Sequence, residues 1–383
     1  MCIRDRLKAS YSLTADRGPA FVSNSLAMVS SYNPWRPNAD VMESGLGILQ
    51  GKNSELTYEK KHELNLGIDL GFLDNRINFS MDWYKRKNYD LIGWLSTTGL
   101  DGEIGKYANV ASMRSHGIEL TLSTRNIAKK DFKWNTDFIF SKTKNKVTDL
   151  EAFSSVMDMV SGYGFAMQGY PVRSLFSLDF RGLNEEGLPT FINENGELTT
   201  SNINFQERNN KSHLIYEGTT DPTITGSLGN VFSYKGLKLN VFITYSFGNV
   251  IRLDPVFSNQ YTDLDAMPKE FKNRWMRPGD EHRTNIPVIA DKYMNVNDSY
   301  LSRAYNAYNY SSDRIAKGDF IRLKEKWIEP LKISNLGLKL QATNLFLLYA
   351  DDKLNGQDPE FFNTGGVAVP MAKQFTFSIR LGI

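Results

Sequence analysis

Leu64-Asn65-Leu66-Gly67-Ile68-Asp69-Leu70-Gly71-Phe72 sets an apolar residue at every second position and Asn, Gly, Asp and Gly between them. A β-strand turns successive side chains to opposite faces, so a period of two builds one apolar and one polar face; a helix needs repeats at three and four. After Leu73-Asp74-Asn75-Arg76, a turn by composition, Ile77, Phe79, Met81 and Trp83 alternate with Asn78, Ser80 and Asp82. The two runs predict a hairpin. Alternation returns at Ile118, Leu120 and Leu122, and at Phe132, Trp134, Phe138 and Phe140 after the polar Ala128-Lys129-Lys130-Asp131. It returns again at Leu237, Leu239, Val241, Ile243, Tyr245 and Phe247 after Tyr234-Lys235-Gly236, and at Phe375, Phe377, Ile379, Leu381 and Ile383.

Working outward from these runs, the connections alternate in length. Short turns are expected near 73–76, 128–131, 234–237 and 331–335, and long Asn-, Asp-, Gly- and Tyr-rich connections near 18–54, 88–112, 146–222, 248–318 and 347–373. A transmembrane barrel has short periplasmic turns and long extracellular loops, which is this pattern. In lipid the outward face must be apolar, while a water-filled lumen accepts Asn, Ser, Thr, Gly and charge. The fold class is therefore all-β, an antiparallel transmembrane β-barrel portion of roughly ten strands, or twelve if 172–180 and 188–192 add a pair. Phe72, Trp83, Tyr84, Trp134, Tyr234, Tyr245 and Phe247 stand near strand ends, as interfacial girdle aromatics do. A soluble β-sandwich would share the alternation but has no reason to alternate its loop lengths.

Composition narrows the function classes. With 45 Lys and Arg against 43 Asp and Glu, a formal charge of +2, no nucleic-acid surface announces itself. At 41% hydrophobic and 23% charged the chain can bury enough apolar surface to fold. The mean hydropathy of −0.40 is compatible with strands that are apolar on one face only, and no run is long enough for a transmembrane helix. The single Cys2 builds no disulfide framework, and His62, His116, His213 and His282 have no metal-ligand spacing. No nucleophile elbow, phosphate loop or dinucleotide fingerprint occurs, so no enzyme, catalytic residue, metal site or cofactor is expected. One exception is Asp351, Asp352, Asn355, Asp358 and Glu360, whose oxygens would suit Ca²⁺ in an extracellular loop, against the plainer reading of a solvated loop. Loop tyrosines Tyr163, Tyr170, Tyr261, Tyr293, Tyr305 and Tyr308 are candidates for gripping a ligand or a lid protein, against the plainer reading of loop packing.

The segment from Glu55 through Tyr58, Glu59, Lys60, Asn65, Gly67 and Asp69 to Gly71, Phe72, Leu73, Arg76, Ser80, Asp82 and Tyr84 resembles the SusC/RagA family of TonB-dependent outer-membrane transporters, with Tyr58 where that family has Trp. Further likenesses follow in order: Asn109-Val110 through Gly117-Ile118-Glu119-Leu120, Asn145-Lys146-Val147, Pro222 through Gly226 to Asn230, Phe320-Ile321-Arg322-Leu323-Lys324, Asn344-Leu345-Phe346 and Asp358-Pro359-Glu360. Two departures stand out: the chain ends in Ile383 where the family has an aromatic, and Lys324-Glu325-Lys326-Trp327-Ile328-Glu329-Pro330 predicts an irregular strand.

The resemblance implies active import of oligosaccharides or peptides across the Gram-negative outer membrane. It implies as partners a SusD-like surface lipoprotein, TonB reached through an N-terminal region, and outer-membrane lipid. It also implies a plug and further strands of a barrel of about 22 ahead of residue 7, making 7–383 the C-terminal part; residues 1–6 are set aside as a non-native start. On this reading Asn65, Asp69, Asn78, Asp82 and Glu119 face the lumen, and Phe375, Phe377, Ile379, Leu381 and Ile383 form the strand read in barrel assembly. A passive porin and a β-rich adhesive or structural surface protein remain the alternatives.

Overall fold

The structure, a computed structural model, describes residues 4–18, 26–33, 44–97, 105–151, 154–255, 269–289, 301–333, 336–362 and 372–381. In chain order its first strands are β1 (Arg4–Asp16), β2 (Met28–Tyr32), β3 (Gly45–Gln50), β4 (Glu59–Phe72), β5 (Ile77–Ser96), β6 (Gly105–Ala128) and β7 (Phe132–Leu150). Helix α1 (Val156–Val160) precedes β8 (Ser174–Leu178), β9 (Phe180–Leu183), β10 (Pro189–Ile192), β11 (Leu198–Thr199) and β12 (Leu214–Thr219). Then come β13 (Ile224–Tyr234), β14 (Leu237–Phe247), β15 (Val250–Arg252), helix α2 (Leu301–Asn309), β16 (Ile315–Lys317), β17 (Phe320–Ile333), β18 (Leu336–Ala350) and β19 (Gln374–Leu381).

One ten-stranded sheet dominates, ordered β1-β4-β5-β6-β7-β13-β14-β17-β18-β19, and every pair in it is antiparallel. The order follows the chain, so the sheet is a meander whose short turns lie at one end and whose long connections lie at the other. The pair expected from 172–180 and 188–192 does form strands, but β8 pairs with β12, and β10 with β9 and β11, in small sheets of their own. The strand count in the main sheet is thus ten rather than twelve. Arg4, Asp5 and Arg6, set aside above, continue β1 opposite Gly71, Leu70 and Asp69, since ladder bonds use backbone alone.

Turn chemistry holds the register. Leu73, Asp74 and Asn75 all take positive φ, and Arg76 N–H donates back to Leu73 O at 3.1 Å; Asp and Asn tolerate this region readily. Lys235 and Gly236, at φ 47° and 93°, make the two-residue hairpin whose twist matches its strands. At the other end β5 and β6 run on to Ser96 and from Gly105, so most of the expected 88–112 connection is strand. A bulge near Asp90, at φ 55°, re-aims the ladder there. Strand β17 pairs with register shifts at Leu323/Glu325 and Ile328/Leu331, the irregularity expected of 324–330.

Register sorts the side chains. Leu66, Trp83 and Ile118 stand side by side, as do Ile68, Met81, Leu120 and Phe140, on one face. Gly67, Asp82 and Glu119 share the other. Leu66 is 44% exposed and Phe375, Phe377, Ile379 and Leu381 on the edge strand β19 are 57–74% exposed, which an aqueous sheet would not tolerate over so broad a face. Lipid accounts for it. Trp83 lies on this apolar face, but Tyr84, expected beside it in the girdle, is 5% exposed on the polar face because adjacent strand residues point oppositely.

Two substitutions on neighbouring residues separate the faces. Leu120→Arg is expected to cost roughly 2–4 kcal/mol of folding stability in a bilayer, and Glu119→Arg much less. Denaturant titration of the bilayer-refolded protein checks this, and equal losses at the two positions would reverse the face assignment.

Candidate functional site

The polar face carries an ion cluster at its β1-β4-β5 corner. Lys8 Nζ reaches Asp69 Oδ1 at 2.9 Å and Asp82 Oδ1 at 3.3 Å, and Ser80 Oγ donates to Asp69 Oδ1 at 2.7 Å. The residue between them is Gly67; a Cβ there would sit 2.2 Å from Asp82 Oδ1 and 2.7 Å from Lys8 Cε, so only Gly lets the cluster close over the backbone. Higher up, the Tyr84 ring lies over Gly117 with its Oη 2.7 Å from Thr143 Oγ1. Arg86 stacks 4.0 Å from that ring and meets Glu63 at 3.0 Å. Asn65, opposite Tyr84, has an enclosed Oδ1 with no protein donor. Glu119 is exposed beside Asp82, and Asn78 sits at the turn end, donating to Asn75 O at 3.1 Å. The expected lumen residues thus share a face, with Asn78 at its rim.

Above this face the long connections pack into a cap with a core of its own. Val156, Val160, Leu178, Phe191, Phe271, Ala307 and Tyr308 are its buried centre. Ser155 caps α1 in a reciprocal box with Asp158. Three buried arginines stitch separate segments together. Arg252 of β15 donates to Phe176 O at 2.7 Å, Ser177 Oγ at 2.9 Å and Ser311 O at 3.1 Å. Arg314 pairs with Glu270 and donates to Asp254 O at 2.9 Å. Arg322 pairs with Asp358 and Glu360 and donates to Asn344 Oδ1 at 3.1 Å.

This packing revises the loop candidates. Tyr305 and Tyr308 are 0% and 1% exposed, with hydroxyls on Val288 O and Asp313, so neither can grip a ligand or a lid. The signal was helical: Leu301, Ala304, Tyr305 and Tyr308 recur at i, i+3, i+4 and i+7 and line the buried side of α2. Tyr261, Tyr293 and Ile383 lie outside the described residues. Tyr163 is 56% exposed, and Tyr170 packs against Phe176 and against Tyr216, which is half exposed and was not expected. Asp358 and Glu360 are engaged by Arg322, and Asp351 accepts the N–H groups of Lys317 and Lys353. These carboxylates form no cage, and among the described residues no group of three or more His, Cys, Asp or Glu could hold a metal ion.

Between cap and sheet lies a cavity of about 640 Å³ lined by Arg173, Asp221, Thr244, Asn249, Lys324 and Glu360 among others. Its mixed charges and amides can hydrogen-bond a polar solute. In the cap, burial pushes the Glu217 carboxyl up and pulls the Arg252 guanidinium down to about 10. Burial also pulls His213 below its ordinary value against the carboxylates of Glu194 and Glu207, and neither ring nitrogen has a partner.

Comparison with known proteins matches residues 6–163 to a family model described as TonB dependent receptor-like, beta-barrel. TonB-dependent receptor P39 of Formosa agariphila is 26% identical over 95% of this chain and 38% of its own length. TonB-dependent receptor SusC of Bacteroides thetaiotaomicron is 25% identical over 86% of this chain and 32% of its own length. In fold, the solved structure of the RagAB peptide transporter superposes with a TM-score of 0.74 at 23% identity, covering 98% of this chain and 40% of that one. The chain therefore spans about a third to two fifths of the relatives it matches.

Arg252→Ala would leave the carbonyls of Phe176 and Ser311 without this donor, at a cost on the order of 3 kcal/mol, read as faster proteolysis within the cap while the strands stay protected. A folded-state value below the unfolded one near 6.5 means that His213 neutrality stabilises the cap above that pH, and the contribution is lost as pH falls through it. Amide exchange across 194–217, corrected for intrinsic rates, is expected to accelerate from roughly pH 7 to 5, and His213→Asn to flatten that dependence.

Proposed function

For a chain that carries the SusC/RagA type of TonB-dependent receptor barrel, and with it the outer membrane of a Gram-negative bacterium as its location, we propose active import of large nutrients, oligosaccharides or peptides, as the function of the whole receptor. The observation that carries this reading is the ten-stranded meander whose long connections gather at one end into a packed cap beside a polar face. Lipid accepts only the apolar face, so the polar one borders the aqueous path. Asn65, Asp69, Asp82 and Glu119 line that path in this reading, with Asn78 at its periplasmic rim. Paired with Lys8, Asp69 and Asp82 stay partly exposed, and Glu119 is exposed beside them, so carboxylates remain for a hydrated cargo to exchange water with.

Energy comes from TonB, contacted through a region ahead of this segment, and a SusD-like lipoprotein closes over the extracellular end. In this reading Tyr163, Tyr170 and Tyr216 are aromatics through which cargo or that lid would be met. The peptide transporter named among the structural relatives favours peptides as one cargo class; the family is one of transporters rather than enzymes.

Uptake of labelled oligopeptides and oligosaccharides by cells bearing the complete receptor tests the proposal. Disrupting TonB is expected to lower uptake to that of a receptor-less strain, while Asp69→Asn with Asp82→Asn changes uptake and leaves an assembled, heat-modifiable barrel. Uptake indifferent to TonB would make the protein a passive pore.

A further inference from the structure

The apolar face of β5, β6 and β7 ends abruptly in cations. Trp83, Ile118 and Lys142 are aligned across the three strands, and one row nearer the cap come Lys85, His116 and Lys144. The next row is Lys87, Arg114 and Lys146. All share the face of Leu120 and Phe140, because the register runs unbroken through these rows. With strands about 4.8 Å apart and alternate residues about 6.8 Å apart along a strand, these rows make a patch roughly 10 Å wide. Among the described residues none of these side chains has a carboxylate within ion-pair distance. The acidic groups at the rim are Asp149, across a bulge, and Asp90, already paired with Lys60 at 2.7 Å. Arg114, His116, Lys144 and Lys146 also line a cleft of about 640 Å³ whose far wall is Gln168 and Gly169.

We propose that this patch binds a phosphate-bearing lipid headgroup of the outer leaflet. The inference rests on the membrane reading above. The rows immediately below are in hydrocarbon, and the patch lies at the end bearing the long connections, so its neighbours are outer-leaflet headgroups rather than bulk water. Unpaired cations at that level gain most from phosphate oxygens, which Arg grips as a fork and Lys as a point charge. On β13 and β14 the same face carries Ile224 and Phe247 level with Lys142 and Leu228 below it, so the cations of that row do not continue onto these two strands.

The complete receptor in phosphatidylcholine nanodiscs, doped either with bisphosphorylated lipid A or with its dephosphorylated form, provides the test. The wild type is expected to retain the phosphorylated lipid selectively through purification. Lys144→Gln with Lys146→Gln should weaken that retention roughly ten- to thirtyfold, at about 1 kcal/mol per cation near a charged surface. Lys129→Gln with Lys130→Gln, which removes equal charge at a periplasmic turn, should leave it unchanged. Equal retention of both lipid forms, or equal behaviour of the two double variants, would overturn the proposal. So would lipid-independent cross-linking of Lys144 or Lys146 to an acidic protein. Absence of the receptor from the outer-membrane fraction, scored separately, would overturn the membrane reading and this inference with it.

Discussion

Hydrocarbon offers no partner to a peptide N–H or C=O, and the rest of this structure depends on that constraint. An unpaired backbone group costs several kcal/mol in lipid, so β4, β5, β6, β7, β13, β14, β17 and β18, the inner strands of the large sheet, each carry a ladder on both sides. Side chains are then sorted by the pleat alone, and the apolar set must fall on the lipid face at every step. A slip of one residue in a pair turns the slipped strand's polar set to lipid, Asp82 if β5 slips on β4 and Glu119 if β6 slips on β5. The bulges sit where that penalty relaxes: near Asp90 and Ser112/Met113 above the apolar rows, near Arg125/Ile127 below them, and along the irregular β17.

Outside the membrane the stabilising logic changes. The cap has helices, short sheets and a buried centre, and its segments are joined by Arg252, Arg314 and Arg322 as well as by apolar contact. A guanidinium has donors enough to satisfy several loop carbonyls at once, which suits connections that have no ladder partners. The cost is desolvation, visible in the lowered pKa of Arg252. Such a cap holds one arrangement while solvent-facing residues such as Tyr163 and Tyr216 remain free to vary, and a fixed scaffold with variable contacts is the usual way a loop surface acquires specificity.

The differences between expectation and structure have physical causes. Tyr84 and Trp83 are neighbours, and strand geometry alone sends one to Gly117 and the other to the apolar face. Tyr305 and Tyr308 read as loop residues because Asn and Tyr surround them, although their helical spacing with Leu301 and Ala304 was present. Segments 172–180 and 188–192 do alternate, but a strand joins whichever partner its connection can reach, and short loops kept these within the cap. Asp358 and Glu360 looked like cation ligands; the cation they meet is Arg322, some forty residues earlier in the chain.

Local chemistry, then, was enough for the all-β class, the meander, the turns at Leu73–Arg76 and Lys235-Gly236, and the face each alternating residue occupies. These follow from the period-two pattern and from residues that accept positive φ, which act over a few positions of chain. The closure of Lys8 onto Asp69 and Asp82 over Gly67, the burial of Tyr305 and Tyr308, the arginine joints of the cap and the rows of cations on β5, β6 and β7 were decided by tertiary structure. Each brings together groups tens of residues apart, and only the register of pairing and the packing of loops determine which of them meet.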